Sequence, residues 1–177
     1  MARPIPTRTI RGSLTRLRLM LGAVSRTTVA ALALSAAGLV AIANREAFVD
    51  HTYTDAVGVP TIGYGTTGPD VKPGQTITPE RALVRLLQHV DQDSAAAVKR
   101  CVTVPLFQRE FDAYVSLVYN IGSRAFCTST LVKVLNQGQY DEACRQILRW
   151  NRAGGRELPG LTRRRQAEAA TCMGTAG

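Results

Sequence analysis

Three residues within a short stretch have the types that cleavage of a sugar bond requires. Glu46 is followed nine residues later by Asp55, and Thr61 lies six residues further on, directly before the glycine-rich sequence Ile62-Gly63-Tyr64-Gly65. Glycoside hydrolysis uses one carboxylic acid to protonate the leaving oxygen and one ionised carboxylate near the sugar. The apolar residues after Glu46 suit the acid, and the polar turn around Asp55 suits the ionised group. Such spacing also occurs by chance among surface carboxylates, so the pattern alone leaves both interpretations open.

The elements around these residues could bring them to one cleft. Glu46 follows an apolar run, which places it at the end of a helix if that run is helical. Residues 50–77 are rich in Gly, Thr, Pro and Asp with short apolar stretches between them, which predicts a small sheet of short strands and turns. A carboxylate at a helix end and another in a strand turn can face each other across a cleft.

Helical spacing of apolar residues dominates the chain after residue 77. Thr78 predicts an N-cap, with Pro79 at the first helical position. Further helices are predicted from Phe107 to Val118, after a cap at Thr128 or Ser129 as far as Gly138, from about Gln139 to Trp150, and around Arg163-Arg164-Arg165, with a loop at Ala153-Gly154-Gly155. The sequence therefore predicts an α+β fold that is mostly helical, with one small β region inserted early.

The positive charge is concentrated near the N-terminus. The 177 residues include 22 Lys and Arg and 13 Asp and Glu, which gives a formal net charge of +9. Residues 1–43 carry +6 and contain no acidic residue, so residues 44–177 carry only +3. Basic chains often bind nucleic acid, but these arginines are not interleaved with the aromatic residues that stack on bases. Nucleic acid is therefore not an expected partner.

The uncharged run Thr27–Asn44 has the length of a weak membrane helix. As a helix it would span roughly 27 Å, against roughly 30 Å for the hydrocarbon core, but most of its residues are Ala, Thr, Ser or Gly. The arginines before it predict an N-terminus in the cytoplasm and export of the rest. Three interpretations fit: a secretory signal cleaved after Ala41-Ile42-Ala43, an uncleaved weak anchor, and a buried helix of a soluble domain behind a basic tail.

The four cysteines are candidates for two disulfides. Their spacings fit no zinc motif, and all four follow the apolar run, on the side predicted to be exported into an oxidising compartment. Proximity in sequence favours Cys101 with Cys127 and Cys144 with Cys172, each closing a loop worth roughly 3 kcal/mol in the chain-entropy model. Four buried thiols are the alternative.

The stretch that begins at Glu46 resembles the catalytic signature of phage-type lysozymes, glycoside hydrolase family 24. That signature has a Glu, eight residues, an Asp or Cys, five residues, and a Thr before a T-I-G-Y-G-like turn, and Glu46, Asp55 and Thr61 agree with it in type and spacing. Further family motifs follow in order within about Val40 to Gly174. They are Val118-Tyr119-Asn120-Ile121-Gly122, Ser129-Thr130-Leu131, Leu135-Asn136-Gln137-Gly138, Arg149-Trp150, Gly154-Gly155, Leu158-Pro159-Gly160-Leu161 and Arg163-Arg164-Arg165.

The resemblance implies a lysozyme-like fold with a small β subdomain and a larger helical lobe. It also implies an inverting muramidase that hydrolyses the β-1,4 bond between N-acetylmuramic acid and N-acetylglucosamine in peptidoglycan and so lyses the host cell. Glu46 would be the general acid, Asp55 would activate or orient the water or stabilise positive charge on the sugar, and Thr61 would position that water. The substrate cleft would be lined by Tyr64, Gly65, Asn120, Gly122 and Ser129, and no metal or other cofactor is expected.

Two further expectations concern residues around this site. One of the three arginines after Thr162 is expected to pair with Glu46. Family members often have His where this chain has Thr66, which puts a supporting contact in doubt more than the chemistry. Two other functions stay open: a lytic transglycosylase acting on the same bond, and a membrane-tethered protein that binds peptidoglycan without catalysis.

The resemblance also changes the expectation for the N-terminus. Cleavage after Ala43 would leave Glu46 as the third residue, without the helix that holds the acid in this family. A signal-anchor-release segment, as in some lambdoid endolysins, fits better: it tethers the enzyme to the inner membrane and then joins the soluble fold. The expected organisation is a cytoplasmic tail (1–26), a weak anchor (27–44) and a catalytic domain (45–177, with the β region at 50–77 and the helical lobe at 78–173). The protein would be a monomer that contacts the host inner membrane transiently and is released to the periplasm.

Overall fold

A computed structural model describes residues 25–55 and 58–176, which form eight α-helices and five short strands. The helices are α1 (Ala36–Ala43), α2 (Pro79–His89), α3 (Ala96–Cys101), α4 (Gln108–Ile121), α5 (Ser123–Cys127), α6 (Thr130–Asn136), α7 (Tyr140–Gln146) and α8 (Pro159–Met173). The strands are β1 (Val49–Thr54), β2 (Pro60–Gly63), β3 (Thr66–Thr67), β4 (Arg152–Ala153) and β5 (Arg156–Glu157). The expected α+β fold, mostly helical with a small β subdomain, is confirmed.

The β subdomain is an antiparallel three-stranded sheet in the order β1-β2-β3. Val49 of β1 pairs with Gly63 of β2, and Thr61 lies opposite Tyr53 on one side and Thr67 on the other. The sheet is fixed to α2 by Arg85, which donates to the Thr66 hydroxyl and the Thr67 carbonyl and also pairs with Asp70. This attachment to α2 sets where the β1–β2 hairpin lies relative to the helices.

The helical lobe is built around α4, which is buried continuously from Glu110 to Val118. Phe111, Tyr114 and Leu117 of this helix have no exposed surface. The longest helix, α8, packs along α4. Helix α1 contacts both α4 and α2. Burial of an apolar side chain stabilises by about 1.5–3 kcal/mol, so α4 is the main source of the core.

The N-terminal segment is part of this core, although it is not one helix. Thr27 pairs with Leu106, Val29–Ala31 form a 3₁₀ turn, and the chain is extended up to Ser35, which caps α1. In the folded chain only the end of Thr27–Asn44 is α-helical, as α1. The reason is Asp112 of α4, which accepts hydrogen bonds from the backbone N–H and the hydroxyl of Ser35 at 3.1 and 2.6 Å and so fixes the extended entry into α1.

None of the helices within residues 25–55 and 58–176 combines the length and the apolar character needed to cross a membrane. The basic tail expected at residues 1–26 lies outside the described residues except for its last two. Those two precede Thr27, where the pairing with Leu106 begins.

Most helix starts agree with the prediction, and the differences are local. Thr78 and Ser129 cap α2 and α6 as expected, and the helix expected over 139–150 is α7 followed by a 3₁₀ turn. Three features were missed: a π-helical segment (Val90–Ala95) running into α3, the short helix α5, and the β4–β5 hairpin around the expected loop at Gly154. Elements of two to six residues are too short for a hydrophobic period to show.

The two disulfides join the cysteines that proximity favoured. Cys101 pairs with Cys127, which links the end of α3 to the end of α5, and Cys144 pairs with Cys172, which links α7 to α8. Every cysteine of the chain is used, so the prediction of two disulfides is confirmed.

Candidate active site

Glu46 lies one turn beyond the end of α1. Its backbone N–H donates to the carbonyl of Ala43 at 3.2 Å, so the last turn of the chain after α1 holds it in place. Its side chain keeps a quarter of its surface exposed, and its Oε1 accepts a hydrogen bond from Nη1 of Arg164 at 3.0 Å. Arg164 is thus the one of the three arginines after Thr162 that pairs with Glu46.

Asp55 and Thr61 lie together in the hairpin between β1 and β2. The Asp55 carboxylate accepts the backbone N–H of Val59 at 2.8 Å, and its own N–H donates to the Val59 carbonyl at 3.0 Å. The hydroxyl of Thr61 donates to that same carbonyl at 3.0 Å, which places its lone pairs to accept from another donor. Both side chains are therefore fixed by one turn of backbone.

Tyr119 of α4 connects the two sides of the site. Its hydroxyl donates to the carbonyl of Tyr64 in the β2–β3 turn at 2.9 Å. Burial raises the pKa of Tyr119 well above its ordinary value of 10.0, and the nearby negative charge of Glu46 raises it further, while Arg164 opposes this. Tyr119 thus lies near Glu46 and is hydrogen-bonded to the turn that follows β2, the strand that carries Thr61. Tyr119 belongs to one of the family-like motifs of the sequence, but the sequence did not indicate a role for it.

The residues expected to bind the substrate are spread along both lobes. Tyr64 is half-buried, with its ring 5.3 Å from that of Phe48, and Gly65 is exposed with a φ of +76° that favours glycine. Asn120 is exposed near the end of α4, and Gly122 begins the turn into α5. Tyr64 and Gly65 form the β2–β3 turn, and Asn120 and Gly122 lie at the end of α4.

Ser129 has a structural role that the sequence also indicated. Its hydroxyl accepts from the N–H of Val132 at 3.2 Å and so caps α6. It also contributes to the wall of an open cavity of about 420 Å³, together with Gln146, Arg149 and Trp150.

A buried group of charges lies behind Glu46. Glu168 of α8 is 1% exposed and accepts hydrogen bonds from Ser116 at 2.7 Å and from Arg164 at 3.2 Å. Arg165 has no exposed surface, and burial lowers its pKa to about 10, so it remains charged at neutral pH. Arg45, next to Glu46, donates to the Ser116 hydroxyl at 3.1 Å. The spacing of Arg164 and Arg165 to Glu168, four and three residues along one helix, is the signal that could have indicated this group.

Thr66 occupies the position where the family often has His. It is fully buried, donates to the Ile62 carbonyl at 3.0 Å and accepts from Nε of Arg85 at 2.9 Å. The hydroxyl therefore closes the β2–β3 turn and helps to attach it to α2.

Within the described residues, no three His, Cys, Asp or Glu side chains are grouped so that they could hold a metal ion. The side chains of the candidate site are a partly exposed carboxyl group after the end of α1 and a carboxylate and a hydroxyl in the hairpin.

A small sheet attached to a helical lobe, with a glutamate after the first helix and an aspartate and a threonine in the sheet, defines a glycoside hydrolase of the lysozyme class. The sequence matches the Phage lysozyme family over residues 43–168. The chain belongs to the phage lysozyme family, whose substrate is peptidoglycan.

Known proteins similar to this chain agree with that assignment. The SAR-endolysin of Bacteriophage PS119 is 40% identical over 121 residues, which is 68% of this chain and 72% of that protein. The endolysin of Bacillus phage B103 is 42% identical over 108 residues, and the match spans 61% of this chain but only 41% of that protein.

Two solved structures share the fold over most of their length. A mutant of P22 lysozyme superposes with a TM-score of 0.73 at 35% identity, covering 80% of this chain and 99% of that one. The muramidase domain of SpmX from Asticaccaulis excentricus superposes with a TM-score of 0.74 at 31% identity, covering 80% and 98%.

Proposed function

We propose that this protein is a phage endolysin with muramidase activity, which hydrolyses the β-1,4 bond between N-acetylmuramic acid and N-acetylglucosamine. The observation that carries the proposal is that Tyr119 is hydrogen-bonded to the turn after the strand of Thr61 and lies near Glu46, in a chain of the phage lysozyme family. The name of the SpmX muramidase domain supports the same bond specificity.

In the proposed mechanism Glu46 protonates the oxygen of the leaving sugar. Its side chain is partly exposed, and Arg164 donates a hydrogen bond to one of its oxygens. Asp55 activates or orients the attacking water, and Thr61 accepts a hydrogen bond from that water because its own hydrogen is donated to Val59. A reaction in which one carboxyl group acts as the acid and the second activates water, without attacking the sugar itself, inverts the configuration at the anomeric carbon.

Glu46→Gln tests this proposal. The variant keeps the size of the side chain but has no proton to donate, so we expect the rate on purified peptidoglycan to fall by about 100- to 10,000-fold. Glu142→Gln is the matched control, because this carboxylate lies on α7 and pairs with Arg145 and Gln146. Undiminished activity of Glu46→Gln would overturn the catalytic assignment.

The reaction products separate this proposal from its alternatives. A muramidase releases fragments that end in reducing N-acetylmuramic acid. A lytic transglycosylase releases the anhydro form of that sugar, and a protein that only binds peptidoglycan releases nothing. Mass spectrometry of the digest therefore distinguishes the three.

We further propose that Thr27–Asn44 anchors the protein in the inner membrane before it docks in the fold and the protein is released to the periplasm. The SAR-endolysin name of the PS119 relative supports this proposal. A second support is that two buried carboxylates of α4 face this N-terminal segment. Glu110 pairs with Arg26 at 2.7 Å, and Asp112 accepts from Ser35, so docking satisfies both. Buried carboxylates without partners are costly, which favours the docked form after release.

A further inference from the structure

Glu168 is a buried carboxylate that the proposed reaction does not use. It lies in α8 and is 1% exposed. One of its two oxygens, Oε1, accepts all three of its hydrogen bonds, which come from Ser116, Arg164 and Arg165. Its other oxygen lies 2.8 Å from Nε of Arg165, as an ion pair that is not aligned as a hydrogen bond. Its contacts are with Ser116 and the two arginines, and the proposed reaction gives it no contact with the sugar.

Arg164 is shared between Glu168 and Glu46. Its Nε donates to Glu168 at 3.2 Å, and its Nη1 donates to Oε1 of Glu46 at 3.0 Å. A guanidinium is planar and rigid, so fixing Nε at one carboxylate also fixes the direction in which Nη1 points. Glu168 therefore determines where the cation that touches Glu46 lies.

A second set of contacts runs from Glu168 to the end of α1. Ser116 of α4 donates to Glu168 at 2.7 Å and accepts from Nη1 of Arg45 at 3.1 Å. Arg45 immediately precedes Glu46 in sequence, so Glu168 is linked both to the partner of the Glu46 side chain and to the backbone that carries it.

The charges explain why this carboxylate is needed. Burial lowers the pKa of Arg45 and of Arg165, the positive charge of nearby Arg164 lowers both further, and the negative charge of Glu168 raises both. Without its negative charge the arginines would repel one another. Arg164 would then have only Glu46 as its partner and would hold that side chain more tightly, away from the sugar.

We propose that Glu168 is a positioning residue for catalysis: acting through Arg164, it places the side chain of Glu46 for proton transfer to the glycosidic oxygen. The inference rests on the proposed function, because it assumes that Glu46 is the general acid. It assigns to Glu168 an effect on the chemical step and none on the binding of peptidoglycan.

The test compares two isosteric variants in the full-length protein. Glu168→Gln removes the negative charge behind Glu46. Glu110→Gln removes another buried carboxylate, which lies in the first turn of α4 and pairs with Arg26. Both lose stability, so activity on solubilised peptidoglycan strands is measured well below both melting temperatures. We expect Glu168→Gln to lower kcat by about 10- to 100-fold with KM within about twofold of wild type, and Glu110→Gln to leave both nearly unchanged.

Arg164→Lys is a second variant that keeps the proposal testable if Glu168→Gln does not fold. Lysine keeps the charge, but its ammonium is not a fork that reaches two carboxylates in fixed directions. We expect a similar loss of kcat with KM unchanged. Wild-type kcat in either folded variant, or an equal loss in Glu110→Gln, would overturn the inference. These outcomes are independent of Glu46→Gln, whose undiminished activity would overturn the proposed function itself.

Discussion

At the scale of the residue, the polar side chains of the site are held by hydrogen bonds to backbone carbonyls of the β subdomain. Tyr119 donates to the β2–β3 turn while it lies near Glu46, and Thr61 donates to the carbonyl that also accepts from Asp55. Hydrogen bonds that are fixed before the substrate binds need no reorganisation during the reaction. The geometry of the site is therefore set by hydrogen bonds within the β1–β2 hairpin and by the hydrogen bond from Tyr119 of α4 to the β2–β3 turn.

Thr61→Val tests the role of the hydroxyl. Valine fills nearly the same space in a side chain that is 3% exposed, but it cannot accept a hydrogen bond from water. We expect kcat to fall by about 100-fold because the water is misplaced, with about 1 kcal/mol of stability lost with the bond to Val59. Kinetic assays on peptidoglycan measure the loss of kcat, and thermal melts measure the loss of stability.

Thr61→Ser is the matched control, because it restores the hydroxyl and removes only a methyl group. It should recover most of the lost rate. If Thr61→Val were as active as Thr61→Ser, the hydroxyl would have no part in the reaction.

At the scale of the element, one side chain of α2 binds the end of the sheet. Arg85 contacts the Thr66 hydroxyl, the Thr67 carbonyl and the Asp70 carboxylate, so it attaches β3 and the segment after it to α2. The β2–β3 turn carries Tyr64, whose carbonyl accepts from Tyr119. The hydrogen bonds from Arg85 and Tyr119 thus hold the β2–β3 turn and the strand after it to α2 and α4.

The pair of Asp70 and Arg85 makes the stability of this attachment depend on pH. The hydrogen bond from Arg85 lowers the pKa of Asp70 below its ordinary value of 3.8. A carboxylate with a lowered pKa in the folded state contributes stability above its unfolded-state pKa, and the contribution is lost as pH falls through the folded-state pKa. Because Asp70 is mostly exposed, the effect is small.

Asp70→Asn should therefore melt slightly below wild type at neutral pH. The difference between the two melting temperatures should shrink as the pH falls through the folded-state pKa of Asp70, which lies below 3.8. Thermal melts over this range measure it. A difference that stayed constant with pH would show that the charge of Asp70 is not what Arg85 recognises.

At the scale of the whole molecule, the N-terminal segment has two environments if it first lies in the membrane. In the fold its apolar residues Val29, Leu32 and Leu34 are buried, while Ala33, Ala36 and Val40 are exposed. The exposed positions can be changed without loss of docking contacts, so they allow membrane retention to be varied independently of the fold.

Ala33→Leu combined with Ala36→Leu should delay release. Each replacement favours the bilayer by about 0.5 kcal/mol, and neither side chain is buried in the fold. We expect more full-length protein in the membrane fraction over time and later lysis, with unchanged specific activity after solubilisation. The serine variants at the same two positions are the control and should be released sooner; equal retention of all forms would contradict the anchor proposal.

Gly38→Leu would not give the same information. A Cβ atom at Gly38 would lie 2.8 Å from Cδ1 of Leu34 and 3.0 Å from Cγ of Asp112, so this variant would be impaired in docking as well. Its loss of activity would follow from the fold and would not report on the membrane.

The sequence determined the types and spacing of Glu46, Asp55 and Thr61, the caps of α2 and α6, and the cysteine pairs. These features are local or depend on proximity along the chain, where periodicity and capping chemistry act directly. The sequence could not select Arg164 from three consecutive arginines, or reveal Tyr119 and Glu168 as neighbours of the site. Arg164 and Glu46 are separated by 118 positions, and Ser116 and Glu168 by 52. Contacts across such separations arise from the packing of α4 against α8 and α1, and only the tertiary structure decides which side chains that packing brings together.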